Sequence, residues 1–331
     1  MSDANPFLTI QMTATAYCLA RCLHVVARLG VADALDVGAV RPAGELAAKV
    51  GVDPDSLARV LRMLAANGIF TVEDDRVGHN DASRLLRDDH PRSLRAFVQM
   101  IGLDINWRVF GLLEQSVREG RPATAEVVPG GYWQHYAEHP EDAAIFNAAM
   151  TGKTHAQIEG ILRGFDFTPY PRIGDIGGGR GHLLRAVLDA APDSRGVLFD
   201  LAHVVTADAG PASERLQMQA GDFFHDPLPA CDLYLLMEVI HDWPDAQALQ
   251  ILGAVRRAAP PAARVLVIEE VLSGQSGPEW ARNLDVLMLG LLGGRQRTRP
   301  EYEALFAAAG WRHERAIHAV GGTTMLEAVA A

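Results

Sequence analysis

From Pro171 to the C-terminus, short apolar runs alternate with amphipathic ones, and this alternation leaves the chain few architectures. PRIGDIGGG reads as a strand running into a glycine turn, HLLRAVLDAAP as a helix, RGVLFDL as a strand, and LQMQAGDFF as a strand ending in a loop. CDLYLLMEVIH is a buried strand, AQALQILGAVRRAAP a helix and ARVLVIEEVL another strand. After a further helical region, RAIHAV and TTMLEAVA read as two closing strands. Strands that run parallel need crossover helices between them, so the pattern predicts an α/β fold with a doubly wound, Rossmann-like sheet. There is no internal repeat and no low-complexity tract.

The rest of the chain is helical. Apolar groups recur at helical spacing from Ile10 to Leu29 (Ile10, Ala14, Tyr17, Cys18, Val25, Leu29). RPAGELAAKV forms a second short helix. A third opens at Asp53-Pro54-Asp55-Ser56, with proline and acids in its first turn, and stops at Asn67-Gly68. IFTVEDDRVGHN then gives two β-like runs around an acidic turn. Two helices followed by a hairpin make a winged-helix pattern, which raises DNA binding. Charge argues against it: residues 1–100 hold 11 Lys+Arg and 12 Asp+Glu, a net of −1, with Arg59 and Arg62 nearly alone on the would-be docking helix. A packing or dimerisation role fits better.

The whole chain of 331 residues carries a net charge of −11, the wrong sign for a phosphate-gripping protein. Its 49% hydrophobic content excludes disorder, and the length suits about two domains. Three cysteines (Cys18, Cys22, Cys231) give no disulfide framework and fit a reducing cytoplasm. Cys18 and Cys22, four apart on a helix, are expected to pack in a core; no second ligand pair at zinc spacing follows, so no metal is expected. Arg21, His24 and Arg28 interrupt the one apolar N-terminal stretch, which therefore reads as neither signal peptide nor membrane span.

Between His90 and Leu162 large groups concentrate: Phe97, Met100, Trp107, Phe110, Tyr132, Trp133, Tyr136, Phe146 and Met150. Most belong to ordinary core, yet such a run just before a cofactor domain also suits a pocket for an aromatic molecule. The reading divides the chain into 1–100 (winged-helix-like dimerisation), 101–162 (helical linker and substrate pocket) and 163–331 (cofactor domain).

Asp175-Ile176-Gly177-Gly178-Gly179-Arg180-Gly181 lies between a strand and a helix. Glycines there let the backbone turn tightly and approach a nucleoside closely. The dinucleotide spacing fails at His182 and the phosphate loop's Gly-Lys-Ser/Thr is absent, leaving a motif suited to a nucleoside without a pyrophosphate. Asp200, at the end of the next strand, could accept hydrogen bonds from ribose hydroxyls. Asp222, followed by Phe223 and Phe224, could meet an adenine amino group, with an aromatic face against the ring. Each aspartate alone could be a turn cap; three at successive strand ends point to a ligand, because such sheets bind ligands there.

DIGGGRG, LFDL, AGDFF, EVIHDWPD, VLVIEEVL and LLGGRQRT, in this order and spacing, are similar to the S-adenosylmethionine-dependent, metal-independent O-methyltransferases of the plant caffeate and bacterial polyketide-tailoring type. The resemblance spans essentially the whole chain. It implies a class I methyltransferase domain, a homodimer formed through the N-terminal domain, and methylation of a phenolic or enolic hydroxyl of an aromatic metabolite. By the resemblance, His241 is the general base and Glu269 the acid that orients it; Glu270 faces the other side of the strand. Asp175, Gly177, Gly179, Asp200, Leu201, Asp222, Phe223, Met237 and Thr154 fall at cofactor positions. Phe146, Met150 and Met288 fall at pocket positions, with Asp242 beside the base and Trp107, Trp133 and Trp243 as candidate walls.

Two positions depart from the family pattern. A supporting glutamate is Gln296 here, a neutral amide that can hydrogen-bond His241 but stabilises imidazolium less; it is kept among the catalytic candidates. A lysine four residues before the catalytic histidine is Met237. A non-methylating reaction on the same scaffold, or less readily a DNA-binding regulator, are the rival readings. Arg295, Arg297 and Arg299 are expected in a solvated loop, and His155, His182 and His225 in structural or surface roles.

Overall fold

The computed structural model describes residues 5–207, 213–319 and 322–331, and the side chains of these except at 154–156, 203, 206 and 207. The chain forms two compact units: residues up to Trp107 together with Pro140–Lys153, and Arg108–His139 together with Thr154–Ala331.

In the first unit, helices Ala43–Val50 and Pro54–Ala65 precede a hairpin of β2 (Thr71–Glu73) and β3 (Arg76–Gly78), with β1 (Val40–Pro42) on the other side of β3. The second helix starts where the sequence predicts: Asp53 caps it by accepting from Ser56 N–H at 2.8 Å, with Pro54 in the first turn. Leu57, Leu61 and Leu64 share its buried face and join Val26, Leu35 and Leu46 in one core.

The N-terminal helical stretch is broken into Pro6–Ala14 and Ala16–Leu29. Much of its apolar face is uncovered: Phe7, Ile10 and Tyr17 are 71%, 70% and 61% exposed. Cys18 lies on that exposed side, which corrects the expectation that it packs in a core; Cys22, one turn on, packs partly against this unit's core.

The second unit is built on one seven-stranded sheet: β4 (Arg172–Ile176), β5 (Arg195–Asp200), β6 (Leu216–Ala220), β7 (Leu233–Met237), β8 (Arg264–Glu269), β9 (Trp311–His318) and β10 (Thr324–Ala330). The order is β6-β5-β4-β7-β8-β10-β9; the first five are parallel, and β10 runs antiparallel to both neighbours. The central strands β7 and β8 carry unbroken apolar runs, Leu233–Met237 and 265–268, because both faces are covered. Along β7, Leu233 and Leu235 enter one core while Tyr234 and Leu236 enter the other; along β8, Leu266 and Ile268 alternate with Val265 and Val267 in the same way. Helix His182–Ala190 supplies Leu183, Leu184, Val187 and Leu188 to the first of these cores. Helix Asp245–Ala258 supplies Ile251, Leu252 and Val255 to the second. The carboxyl ends of the parallel strands carry Ile176, Asp200, Ala220, Met237 and Glu269, the edge at which sheets of this kind bind ligands. No described helix is long and apolar enough to cross a membrane.

Candidate active site

The glycine turn after β4 has the shape its composition requires. Gly177 and Gly179 hold φ of +71° and +60°, a region that favours glycine. A Cβ on Gly177 would stand 2.9 Å from Val239 Cγ2, and one on Gly178 would stand 2.4 Å from the Asp175 carboxyl carbon. A Cβ on Gly179 would meet nothing within 4 Å, so this side of the turn is open. Asp200 Oδ2 accepts from Gly179 N–H at 2.8 Å and Oδ1 from Leu201 N–H at 2.7 Å, tying the end of β5 to the turn. Leu201 itself is 40% exposed. Asp175 is buried, and its Oδ2 has no hydrogen-bond partner among the described residues. Burial, then the charge of Asp200, push its carboxyl up to about 7.

Asp222 behaves first as a turn cap. Its Oδ1 accepts from Phe224 N–H at 2.8 Å, its Oδ2 lies 2.9 Å from His225 Nδ1, and its own N–H donates to Asp226. Phe223 approaches the glycine turn, 3.7 Å from where a Gly177 Cβ would stand. Phe223, Phe224 and Trp243 pack edge to face, with ring centres 4.7–5.9 Å apart. Met237 closes β7 and packs on the sheet's core.

His241 sits in a 3₁₀ turn, Ile240–Asp242, after β7 and is 4% exposed. Its Nδ1 faces two groups: Glu269 Oε2 at 3.1 Å and the Gln296 side-chain nitrogen at 2.6 Å. Asp242 Oδ1 lies 3.3 Å from its Nε2. Glu269 Oε1 accepts the backbone N–H groups of Ile240 (3.0 Å) and His241 (3.2 Å), so the carboxylate fixes the turn, while its Oε2 stands beside the ring. Glu269 is sealed from solvent, and burial, then the charges of Glu238 and Asp242, hold its pKa well above the carboxylate range; the His241 N–H and the Arg297 charge oppose this. If Nδ1–H donates to Glu269, the amide of Gln296 must turn its oxygen toward the ring. That oxygen otherwise has no hydrogen-bond partner among the described residues.

Sequence reasoning overlooked the strap that holds this turn. Gly294 passes so close that a Cβ there would lie 2.0 Å from the His241 carbonyl oxygen. Arg295 N–H donates to the same oxygen at 2.9 Å, and Gln296 N–H to Asp285 Oδ1 at 2.8 Å. Arg297 is not in a solvated loop, as its polar neighbours suggest: it is fully buried and bound to Asp245, Ile240 O and Trp243 O. Arg295 and Arg299 do reach solvent. The Gly293-Gly294 pair was the one local sign of a close approach.

The pocket candidates divide between the units. Trp107, Phe146 and Met150 lie in the first; Trp133, Asp242 and Met288 lie in the second. Trp107 packs edge to face on His24 beneath Arg21, Trp133 edge to face on Tyr132, and Met288 is buried in helix Trp280–Leu291. Thr154 falls in helix Pro140–Gly164, but its side chain, like that of His155, lies outside the described residues. His225 is on the surface beside Asp222, and His182 opens its helix.

Known proteins match most of the chain. An O-methyltransferase domain model matches residues 110–312, and an O-methyltransferase dimerisation domain model matches 12–89. The chain is 36% identical to the phenazine O-methyltransferase of Lysobacter antibioticus, over 95% of this chain and 93% of the relative. It is 38% identical to an 8-amino-8-demethylriboflavin N,N-dimethyltransferase of Streptomyces davaonensis, over 87% and 85%. Among solved structures it matches an O-methyltransferase from neocarzinostatin biosynthesis, in complex with S-adenosylmethionine and 2-hydroxy-5-methyl naphthoic acid. That match has a TM-score of 0.80 and 34% identity, over 95% of this chain and 96% of the other. The open glycine turn, with carboxylates at the ends of β4 and β5 and no basic residue of a phosphate loop, suits a nucleoside carrying a cationic sulfonium. The chain therefore belongs to the O-methyltransferase family, with the class I methyltransferase fold, an N-terminal dimerisation domain and S-adenosylmethionine as methyl donor.

Proposed function

We propose that the protein methylates a phenolic or enolic hydroxyl of an aromatic secondary metabolite, with His241 Nε2 as the group that takes the hydroxyl proton. The observation that carries this reading is the buried imidazole, its Nδ1 facing Glu269 and Gln296 and its Nε2 facing Asp242 at the carboxyl edge of the sheet. A phenol titrates near ~10 and histidine near ~6.5, so a neutral imidazole in hydrogen-bond reach assists the transfer without full deprotonation beforehand. Bound S-adenosylmethionine supplies an activated methyl group, so the residues mainly position the reactants. The cofactor would supply the methyl to the acceptor oxygen and keep the electron pair of the broken C–S bond, while the acceptor's proton would pass to His241 Nε2. Glu269 then faces an imidazolium and stabilises it; Asp242, on the Nε2 side, is placed to meet both acceptor and imidazolium.

Asp175, Gly177, Gly179, Asp200 and Leu201 would hold the nucleoside end of the cofactor, Asp222 and Phe223 its base, and Met237 and Thr154 the remainder. Trp133 and Met288 would line the acceptor side of the second unit; the other candidates from the resemblance, Trp107, Phe146 and Met150, belong to the first. The names of the relatives, acting on phenazine and naphthoate rings, support an aromatic acceptor. The riboflavin relative makes an aryl amine the second acceptor to try. The exposed apolar face of the first helices supports pairing of two copies through residues 1–100, with 101–162 serving the pocket and 163–331 the cofactor; the three unpaired cysteines suit the cytoplasm.

The test incubates the protein with S-adenosylmethionine and a panel of phenols, naphthols and aryl amines, reading a mass gain of one methylene. His241→Ala should lower kcat by about 10²–10⁴-fold while leaving cofactor affinity near normal; Asp200→Ala should weaken cofactor binding first. Full turnover in His241→Ala would remove the base from the mechanism.

A further inference from the structure

We infer that Arg297 is a positioning residue for the reaction: its guanidinium ties both ends of the His241 turn to one buried point and so sets where the imidazole stands. The inference rests on the reading of His241 as proton acceptor. Arg297 Nη1 donates to Ile240 O at 3.1 Å and Nη2 to Trp243 O at 2.8 Å, the residues that bracket His241 and Asp242. Ile240 O also closes the turn by accepting Trp243 N–H at 3.3 Å. Nε and Nη2 both reach Asp245 Oδ1, at 2.9 and 2.8 Å, anchoring the fork to the first residue of helix Asp245–Ala258. Nη1 lies 3.4 Å from Arg295 O, so the fork also braces its own strap. Tyr302, fully buried, lies beside it with its ring centre 5.9 Å from the guanidinium carbon.

A purely structural filler at a fully buried position would be apolar, because taking a guanidinium out of water is costly unless its donors are met. Here the donors are spent on two carbonyls of the turn that carries His241 and on one carboxylate, which needs the planar fork; a lysine ammonium is a single point charge and cannot span them. The charge has a second effect. Glu269 is faced by His241, Glu238, Asp242, Tyr302 and Arg297, and Arg297 is the cation among them that favours its ionised form. Without that cation Glu269 holds its proton more tightly. A neutral Glu269 stabilises imidazolium less, while the lost cation no longer repels it, so the His241 pKa shifts.

The experiment uses the full chain with Arg297→Met and Arg297→Lys. It reads kcat and KM with the best acceptor from the panel, active-site concentration by titration with S-adenosylhomocysteine, and the His241 pKa by NMR of ¹⁵N-histidine protein, with His241→Ala to assign the signal. Arg297→Met is expected to lose about 10–10²-fold in kcat per active site, with KM for S-adenosylmethionine within about twofold, and to shift the His241 pKa. Arg297→Lys should restore most of the pKa but not kcat, since it keeps the charge and loses the fork. Parental kcat and His241 pKa in Arg297→Met, or losses only in melting temperature and active-site concentration, would overturn the inference. Should Arg297→Met fail to fold, Arg297→Lys decides: parental kcat refutes the fork. Turnover surviving in His241→Ala would sink the base assignment alone, while the imidazole titration still decides whether Arg297 sets that ring.

Discussion

The sharpest consequence of the strap over the His241 turn is what one methyl group would do at Gly294. A Cβ there would lie 2.0 Å from the His241 carbonyl oxygen and 2.4 Å from the Asp242 carbonyl carbon, both backbone atoms with no rotamer to yield. Ordinary contact begins at 3.4 Å, so Gly294→Ala must part the two backbones by about 1.4 Å. That displacement stretches the 2.9 Å bond from Arg295 N–H to His241 O beyond use, and with it the 2.6 Å contact of Gln296 with the imidazole. Each buried group left unpaired costs about 1–3 kcal/mol, and a misplacement of about 1 Å at a reacting group costs about 10²-fold in rate. The expected result is a kcat lowered about a hundredfold, a melting temperature lowered by several degrees, and S-adenosylhomocysteine affinity by calorimetry close to parental, because the glycine turn of residues 177–181 is not in the strap. Gly253→Ala is the control: it lies in helix Asp245–Ala258, its Cβ would meet only the flexible end of Arg257 at 3.5 Å, and alanine favours the helix. A folded Gly294→Ala protein with parental kcat would show that the strap does not set the turn, and the reasoning from close approach would fail.

Two further outcomes follow from the first unit. Burial, then the charge of Arg21, hold the His24 pKa down to about 4, below the ~6.5 of an unfolded chain; stability from this group is complete above that value and is lost as pH falls through the window down to about 4. Melting temperature against pH should therefore drop across that window and flatten in His24→Phe; an unchanged slope refutes the assignment. Light scattering should give twice the 35.8 kDa chain mass, with Ile10→Asp and Tyr17→Asp lowering it toward one chain; a single-chain mass for the parent would refute pairing through this face.

The central strands of the large sheet were legible because they carry runs that only a doubly covered strand explains, such as LYLLM in β7 and VLVIE in β8; the edge strands β6 and β9 are mixed and partly exposed, and only their place in the alternation marked them. The glycine turn was legible for a similar reason, since few other residues adopt its backbone. What escaped is what depends on partners distant in sequence. In Arg295-Gln296-Arg297-Thr298 the two arginines look alike, yet one reaches solvent and the other is sealed against Asp245, 52 residues away. No local pattern distinguishes them. Periodicity also identified an apolar side on the first helices, but it cannot say whether the same chain covers that side, and Ile10 and Tyr17 stay open. At Asp222 the local turn and the ligand reading use the same oxygens; the turn takes both, through Phe224 N–H and His225, so any contact with a base must share them.

The replacement of a family glutamate by Gln296 looks, from sequence, like a weakened base. The surroundings give it another meaning. Burial and the charges of Glu238 and Asp242 already push the Glu269 pKa up, and a second carboxylate at position 296, itself buried, would add a like charge to that cluster. A neutral amide keeps a hydrogen-bonding group 2.6 Å from Nδ1 without that burden. Gln296→Glu should therefore raise the imidazole pKa, because the new carboxylate favours the charged ring. The acid limb of kcat against pH should move to higher pH, with lower activity below the shifted limb and stability reduced through the added buried charge. If the new glutamate were instead to stay protonated at every working pH, the limb would not move. That outcome would refute the claim that position 296 controls the ring through its charge and leave hydrogen-bond geometry as its contribution.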